Sequence, residues 1–262
     1  MPTSVLNVVR QGDVVQITLN RPDKRNALTR ALLDELLLAL RGLPSEIRLV
    51  VLRANGSVFC AGMDLQEMQA TAAQAAASDI WQQDAERYRQ VLETLFFLPC
   101  PTLCVVQGPA LAGGVGLVLA CDMVLATETA SFSLPEPKLG IIAAMELPLA
   151  VLRIGHGPAG WLLLSGQTLH LEDARRFNLV HQTTTSVTVE DDLNASIAAV
   201  LTGAPSILSL TKQQLQAGLA DQLQSDWDTA TAVSATARSQ PEAREGLQAF
   251  LDRRVPGWIP VD

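Results

Sequence analysis

Apolar and polar positions alternate over residues 5–11 and again over 14–19, on either side of Gly12-Asp13, which predicts a two-stranded hairpin. The chain then breaks at Asn20-Arg21-Pro22-Asp23. Thr29 is placed to cap a helix, and Leu32, Leu33, Leu36, Leu37 and Leu40 repeat at the helical interval, so a helix is predicted to about Leu40. Residues 48–53 (RLVVLR) hold an unbroken apolar run and read as a strand buried on both faces. Residues 102–107 and 123–127 read the same way, and 131–134 as a shorter strand. The Ala/Gln-rich stretch 65–98 reads as two helices. Past Leu193 the pattern changes: 194–202, 206–219, 222–238 and 241–254 are all helix-like with no strand between them. Strands alternating with helices, then helices alone, predict an α/β core over 1–192 followed by a helical section over 193–262.

Composition narrows what such a chain does. Of 262 residues, 48% are hydrophobic and only 18% charged, which excludes disorder and implies a surface partly covered by other subunits. Asp and Glu outnumber Lys and Arg, 27 to 19, giving a net charge of −8. A nucleic-acid partner is not expected, because phosphates need clustered cations. The N-terminal residues show no basic region followed by an apolar stretch, and no apolar run is long enough to span a bilayer, so a cytoplasmic protein without a membrane partner is expected. Cys60, Cys100, Cys104 and Cys121 lie in apolar segments without CxxC spacing and read as reduced core residues.

Two glycine-rich breaks follow buried strands. One is Phe59-Cys60-Ala61-Gly62-Met63-Asp64-Leu65; the other runs from Gly108 through Gly113-Gly114 to Gly116. Tight turns from strand into helix leave the first helical N–H groups without intrahelical partners. Two such ends side by side would direct two donors at one oxygen, an oxyanion hole; the alternative is a pair of ordinary strand-to-helix turns. No phosphate-loop or dinucleotide fingerprint is present.

Asn20-Arg21-Pro22-x-x-x-Asn26-Ala27-Leu28, the Phe59–Leu65 segment, Gly108-x-Ala110-Leu111-x-Gly113-Gly114, Ala120-Cys121-Asp122 and Pro135-Glu136-x-x-Leu139-Gly140-Ile141 together resemble the crotonase (enoyl-CoA hydratase/isomerase) family, in its order and spacing. The likeness continues into Leu164-x-Gly166, Ala174-x-x-x-Asn178-Leu179-Val180 and Arg244-Glu245-Gly246-x-x-Ala249-Phe250. The resemblance implies a spiral of ββα turns and C-terminal helices that build a homotrimer, often a hexamer as a dimer of trimers. It implies an acyl-CoA or enoyl-CoA substrate, with coenzyme A as part of that substrate and no covalently bound cofactor. Carried over position by position, it implies that Met63 N–H and Gly113 N–H hold the thioester oxygen. Backbone donors leave the side chain at 63 free, and two preorganised donors stabilise an enolate. It further implies substrate contacts at Arg25, Ala27, Ala61, Asp64, Leu65, Phe250 and Arg253.

The family's hydratase pattern has two glutamates. This chain departs from it at the first, where Gly116 stands, and keeps the second as Glu136. One base suffices to move a double bond from β,γ to α,β by a 1,3-proton shift, so Gly116 with Glu136 resembles the Δ3,Δ2-enoyl-CoA isomerases. The fourteen residues between Gly140 and Gly155, with Pro148 among them, instead resemble a branch that includes single-glutamate hydratases. Both readings stay open, beside an acyl-CoA-binding homologue with little catalysis and another CoA-enolate reaction such as decarboxylation.

Glu136 has a structural alternative, an ion pair with Lys138 or Arg153. Glu146, in the apolar run Ala-Ala-Met-Glu-Leu-Pro-Leu, is a candidate second acid; its alternative is a charge at a helix N-terminus. An apolar acyl pocket is expected from segments 66–98 and 141–149. Arg21, Lys24 and Arg25 form the densest basic cluster near the glycine turns and, with Arg253 of a neighbouring subunit, are candidates for the CoA phosphates; the alternative is solvated charge. His156, His170 and His181 have no spacing suited to a metal or a triad, Cys60 has no His partner, Asp122 reads as structural, and no metal set is visible.

Overall fold

The computed structural model describes residues 4–260. The N-terminal hairpin forms as the alternation predicts: β1 (Leu6–Gln11) pairs antiparallel with β2 (Val14–Leu19). Thr29 caps α1 (Arg30–Arg41), its side chain accepting from Leu32 N, and Leu32, Leu33, Leu36 and Leu40 supply the buried face. Strand β3 (Leu49–Ala54) follows, then helices α2 (Leu65–Ala72) and α3 (Ala77–Phe96), strand β4 (Thr102–Val106), strand β5 (Pro109–Leu111) and helix α4 (Gly113–Ala120). Next come β6 (Met123–Thr127) and β7 (Ser131–Ser133), then a 3₁₀ turn, Glu136–Leu139. The chain continues through α5 (Glu146–Ile154), α6 (His156–Ser165), β8 (Thr168–His170), α7 (Leu171–Arg176) and β9 (Gln182–Thr184). It closes with α8 (Val189–Leu201), α9 (Pro205–Gln216), α10 (Ala220–Arg238) and α11 (Pro241–Leu251).

The large sheet has the order β1-β2-β3-β4-β6-β9, parallel from β2 onward, and the small one β5-β7-β8. Each of two successive turns sends one strand to the large sheet (β4, β6) and the next to the small sheet (β5, β7), the ββα spiral that the resemblance implies. The parallel strands are buried along almost their whole length because helices cover both faces. One face packs into the main core with α1, α3 and α4; the other, with Val51, Val105 and Leu125, is covered by Leu193 of α8.

The helices of the C-terminal section begin with α8 at Val189. Leu223, Trp227 and Ala230 of α10 belong to the main core, and the Trp227 indole donates to Met145 O at 3.1 Å. Strands β5, β8 and β9 were not foreseen; each has three residues, too few to display a period.

Candidate active site

The two glycine turns are stitched together by main-chain bonds. Leu28 pairs with Met63 in a parallel bridge, with Leu28 N donating to Gly62 O at 2.8 Å and Asp64 N to Leu28 O at 3.0 Å. In that arrangement the Met63 N–H faces away from Leu28. On its other side the first turn bonds to the second, Leu111 N donating to Cys60 O at 2.8 Å. Gly62 sits against the start of α4: a Cβ there would lie 2.6 Å from Ala112 Cβ and 3.2 Å from Gly113 N, and its φ of +81° suits glycine. Gly113 is the first residue of α4, and its N–H, like that of Met63, donates to no acceptor among the described residues. Ala112, just before it, has a φ of 51° and a ψ of −127°, a rarely populated backbone conformation of the kind that gathers at functional sites.

Glu136 opens the 3₁₀ turn after β7 and is 5% exposed. The turn rests on α11 backbone to backbone: a Cβ on Gly246 would collide with Leu139 and one on Gly140 with Glu242 O. The segments Pro135–Gly140 and Arg244–Gly246, distant in sequence, thus form one contact that fixes the glutamate. Burial first, and the Glu146 carboxylate second, push the Glu136 carboxyl well above its ordinary range. Its Oε2 is buried with no hydrogen-bond partner among the described residues. Neither ion-pair alternative occurs: Lys138 donates to Gly166 O at 2.7 Å, and Arg153 to Leu119 O and Cys121 O.

Gly116 faces α3. A Cβ at 116 would collide with the Tyr88 hydroxyl and lie 3.2 Å from Glu146 Cγ, so the room beside Gly116 is occupied by a phenol. Tyr88 donates to Gly113 O at 2.6 Å and so anchors the peptide next to the proposed oxyanion donor. Burial, then the Glu146 carboxylate, raise its pKa well above the usual phenol range, keeping it neutral. Glu146 begins α5 as expected and is buried, its pKa raised by that burial. Arg238, the last residue of α10, lies near enough for its charge to lower the pKa of both glutamates.

Met63 and Glu136 line one cleft of about 460 Å³, together with Arg25, Ala27, Ala61, Asp64, Leu65 and Phe250. Gly113 sits directly behind cleft-lining Ala112, while Glu146 and Arg253 are not on the cleft wall. Arg253 is exposed two residues past α11. Asp64 caps α2 by accepting from Gln66 N at 3.1 Å, and it pairs with Arg21 at 3.4 Å, so both charges are engaged within the protein; Lys24 and Arg25 stay exposed at the rim. The wall differs from the expected acyl pocket by including Arg238, Phe250 and Leu251 of the C-terminal helices. Tyr88 and Arg238 carried no motif and were not foreseen; only the fold brings them here.

The remaining candidates are structural. The buried Cys60 thiol is pushed up to about 12 and donates to Asn26 O. Asp122 accepts from Thr102 N and Lys212 Nζ. His156 and His170 are exposed and His181 accepts from Val124 N. Among the described residues no His, Cys, Asp and Glu gather to hold a metal, and no single helix is long and apolar enough to cross a membrane.

Comparison with known proteins identifies the family. Residues 9–260 match the model of the enoyl-CoA hydratase/isomerase family. The chain is 33% identical over 255 residues to the enoyl-CoA isomerase/hydratase fer4 of Mycosarcoma maydis, covering 93% of this chain and 91% of that one. It is 34% identical over 267 residues to the 2,3-dehydroadipyl-CoA hydratase of Escherichia coli K12, covering 97% and 98%. Among solved structures it is similar to an enoyl-CoA hydratase from Mycobacterium avium, with a TM-score of 0.87 and 27% identity over 98% of this chain and 99% of that one. Alike in fold and in sequence over nearly its whole length, the chain belongs to the enoyl-CoA hydratase/isomerase family.

Proposed function

We propose that this chain binds an enoyl-CoA, holds its thioester oxygen with Met63 N–H and Gly113 N–H, and uses Glu136 as a single base to move the double bond from the β,γ to the α,β position. Glu136 takes a proton from the α-carbon. Negative charge then spreads onto the thioester oxygen, where each backbone donor is worth roughly 3–4 kcal/mol in the transition state. The same carboxyl returns its proton to the γ-carbon, so nothing is gained or lost in the balance. The observation that carries this reading is the buried, unpartnered Glu136 Oε2 on the wall of a cleft that also holds Met63.

With Tyr88 in the space at Gly116 and Glu146 behind it, off the wall of the cleft, isomerisation is favoured over two-glutamate hydration. The second reading is hydration, supported by the buried Glu146 carboxyl next to Tyr88, which would serve as the second acid. Lys24 and Arg25 at the rim are proposed for the CoA phosphates, with Arg253 contributed by a neighbouring subunit in a homotrimer or hexamer.

Incubation with 3-enoyl-CoA and with 2-enoyl-CoA in D₂O tests this. Bond migration with no 3-hydroxyacyl product, the α-hydrogen reappearing at the γ-carbon to the extent that the carboxyl does not exchange with solvent, is the expected result. A 3-hydroxyacyl product selects the hydratase. Binding of acyl-CoA without exchange or turnover overturns the enzymatic reading in favour of a binding protein.

A further inference from the structure

Two buried donors on the far side of the cleft have nothing to bond. Arg238 Nη1 and Trp81 Nε1 are enclosed without a hydrogen-bond acceptor among the described residues. Orphaned atoms elsewhere belong to Arg48, Arg89 and Gln107, side chains whose other polar atoms are bonded. Trp81 has only its one N–H, and the carboxylates of Asp84, Glu136 and Glu146 act on Arg238 through space. Asp84 is already engaged by Arg30 and Arg87, and burial shifts Glu136 and Glu146 toward their neutral forms. Arg238 is therefore a half-buried cation whose enclosed Nη1 has no acceptor and no carboxylate at ion-pair distance among the described residues, an arrangement that an incoming anion relieves.

Arg238 and Trp81 line a single small apolar pocket. That pocket shares Leu65, Met68, Leu139, Ile141 and Arg238 with the cleft bearing Glu136 and Met63, so the two adjoin. An acyl chain leaving Glu136 along Leu139 and Ile141 ends between α2, α3 and the C-terminus of α10. A purely hydrocarbon tail would bury the guanidinium and the indole N–H against carbon and leave both unsatisfied. A carboxylate supplies acceptor oxygens for each and the missing negative charge.

We propose that the enzyme selects acyl-CoAs whose acyl group ends in a carboxylate, held at its far end by Arg238 with the Trp81 N–H. This assignment rests on the enoyl-CoA reading above and adds the substrate class. Arg238 is then the specificity-determining residue and Trp81 its accessory donor.

The test uses saturated acyl-CoAs, which undergo no reaction, in calorimetric titrations of the full chain. Adipoyl-, pimeloyl- and suberoyl-CoA are compared with hexanoyl-, heptanoyl- and octanoyl-CoA. At least one ω-carboxyacyl-CoA is expected to bind about 10- to 100-fold more tightly than its unsubstituted counterpart, the worth of a hydrogen bond to a charged group. In R238M and R238Q that ratio should collapse to about 1, and in W81F it should fall several-fold. Equal affinities across the wild-type series, or a ratio that survives in R238M, overturn the proposal. The wild-type comparison decides even where a variant does not fold. Preference without turnover of any enoyl-CoA refutes the catalytic reading alone, whereas turnover without preference refutes only this one.

Discussion

Glu136 shows how one buried carboxyl links catalysis to stability. Its base form must lose a proton that burial and Glu146 make it hold, so activity should rise with pH through a limb above the ordinary carboxylate range. E136Q should lower turnover by about 10²–10⁴-fold while still binding acyl-CoA, as read by steady-state kinetics and titration. The raised folded pKa also has a sign for stability. The folded chain keeps a proton that the unfolded chain releases, so this contribution is whole below the unfolded pKa of about 4.3 and is lost as pH rises through the folded value. The melting temperature of E136Q relative to wild type should therefore climb as pH rises above the ordinary carboxylate range. A pH-independent difference would show that the carboxyl is not desolvated. At Gly116 the obstacle is Tyr88, since a side chain there meets the phenol. G116E should accordingly gain no hydration and should melt roughly 2–12 °C lower, an overpacking cost of about 1–3 kcal/mol in a chain this size. Adding Y88A should recover part of that loss in a double-mutant cycle.

Among the elements, the strand-to-helix turns at Gly62 and Ala112 decide where the two free N–H groups lie. Gly62 combines a φ of +81° with a neighbour 2.6 Å from any added Cβ, so G62A must push Ala112 and the start of α4 away. Loss of one properly placed donor costs about 10²–10³-fold in turnover, and G62A should show at least that, together with a lower melting temperature. A variant that melts lower but turns over normally would separate this turn from the chemistry. The main helices and buried strands were legible because their leucines and valines repeat over whole turns or runs. By contrast, β5, β8 and β9 exist only as rungs on strands that the rest of the fold has already placed.

For the whole molecule, the C-terminal helices both share the core and present apolar side chains to solvent. Trp227 is fully buried, whereas Ile207, Leu210, Leu215 and Val233 on α9 and α10 are exposed, as are Trp258 and Ile259 beyond α11. Apolar surface of this extent is what subunit contact covers. Light scattering coupled to size exclusion should give three or six times the 28.1 kDa chain mass. A monomer across the micromolar range would remove the neighbouring subunit from the proposed phosphate site.

The sequence by itself determined the fold class and the two glycine turns and singled out Glu136, which the structure buries on the cleft wall, because these reside in local runs whose spacing carries the signal. Cys60, Asp122 and the histidines were also readable as structural from their settings. What only the tertiary structure decided are the meetings of residues far apart in the chain: Tyr88 filling the room at Gly116, Gly246 bearing the Glu136 turn, and Trp81 facing the same small pocket as Arg238. A residue's partners across the fold leave no periodicity behind, and an unsatisfied N–H becomes visible only when everything around it is in place.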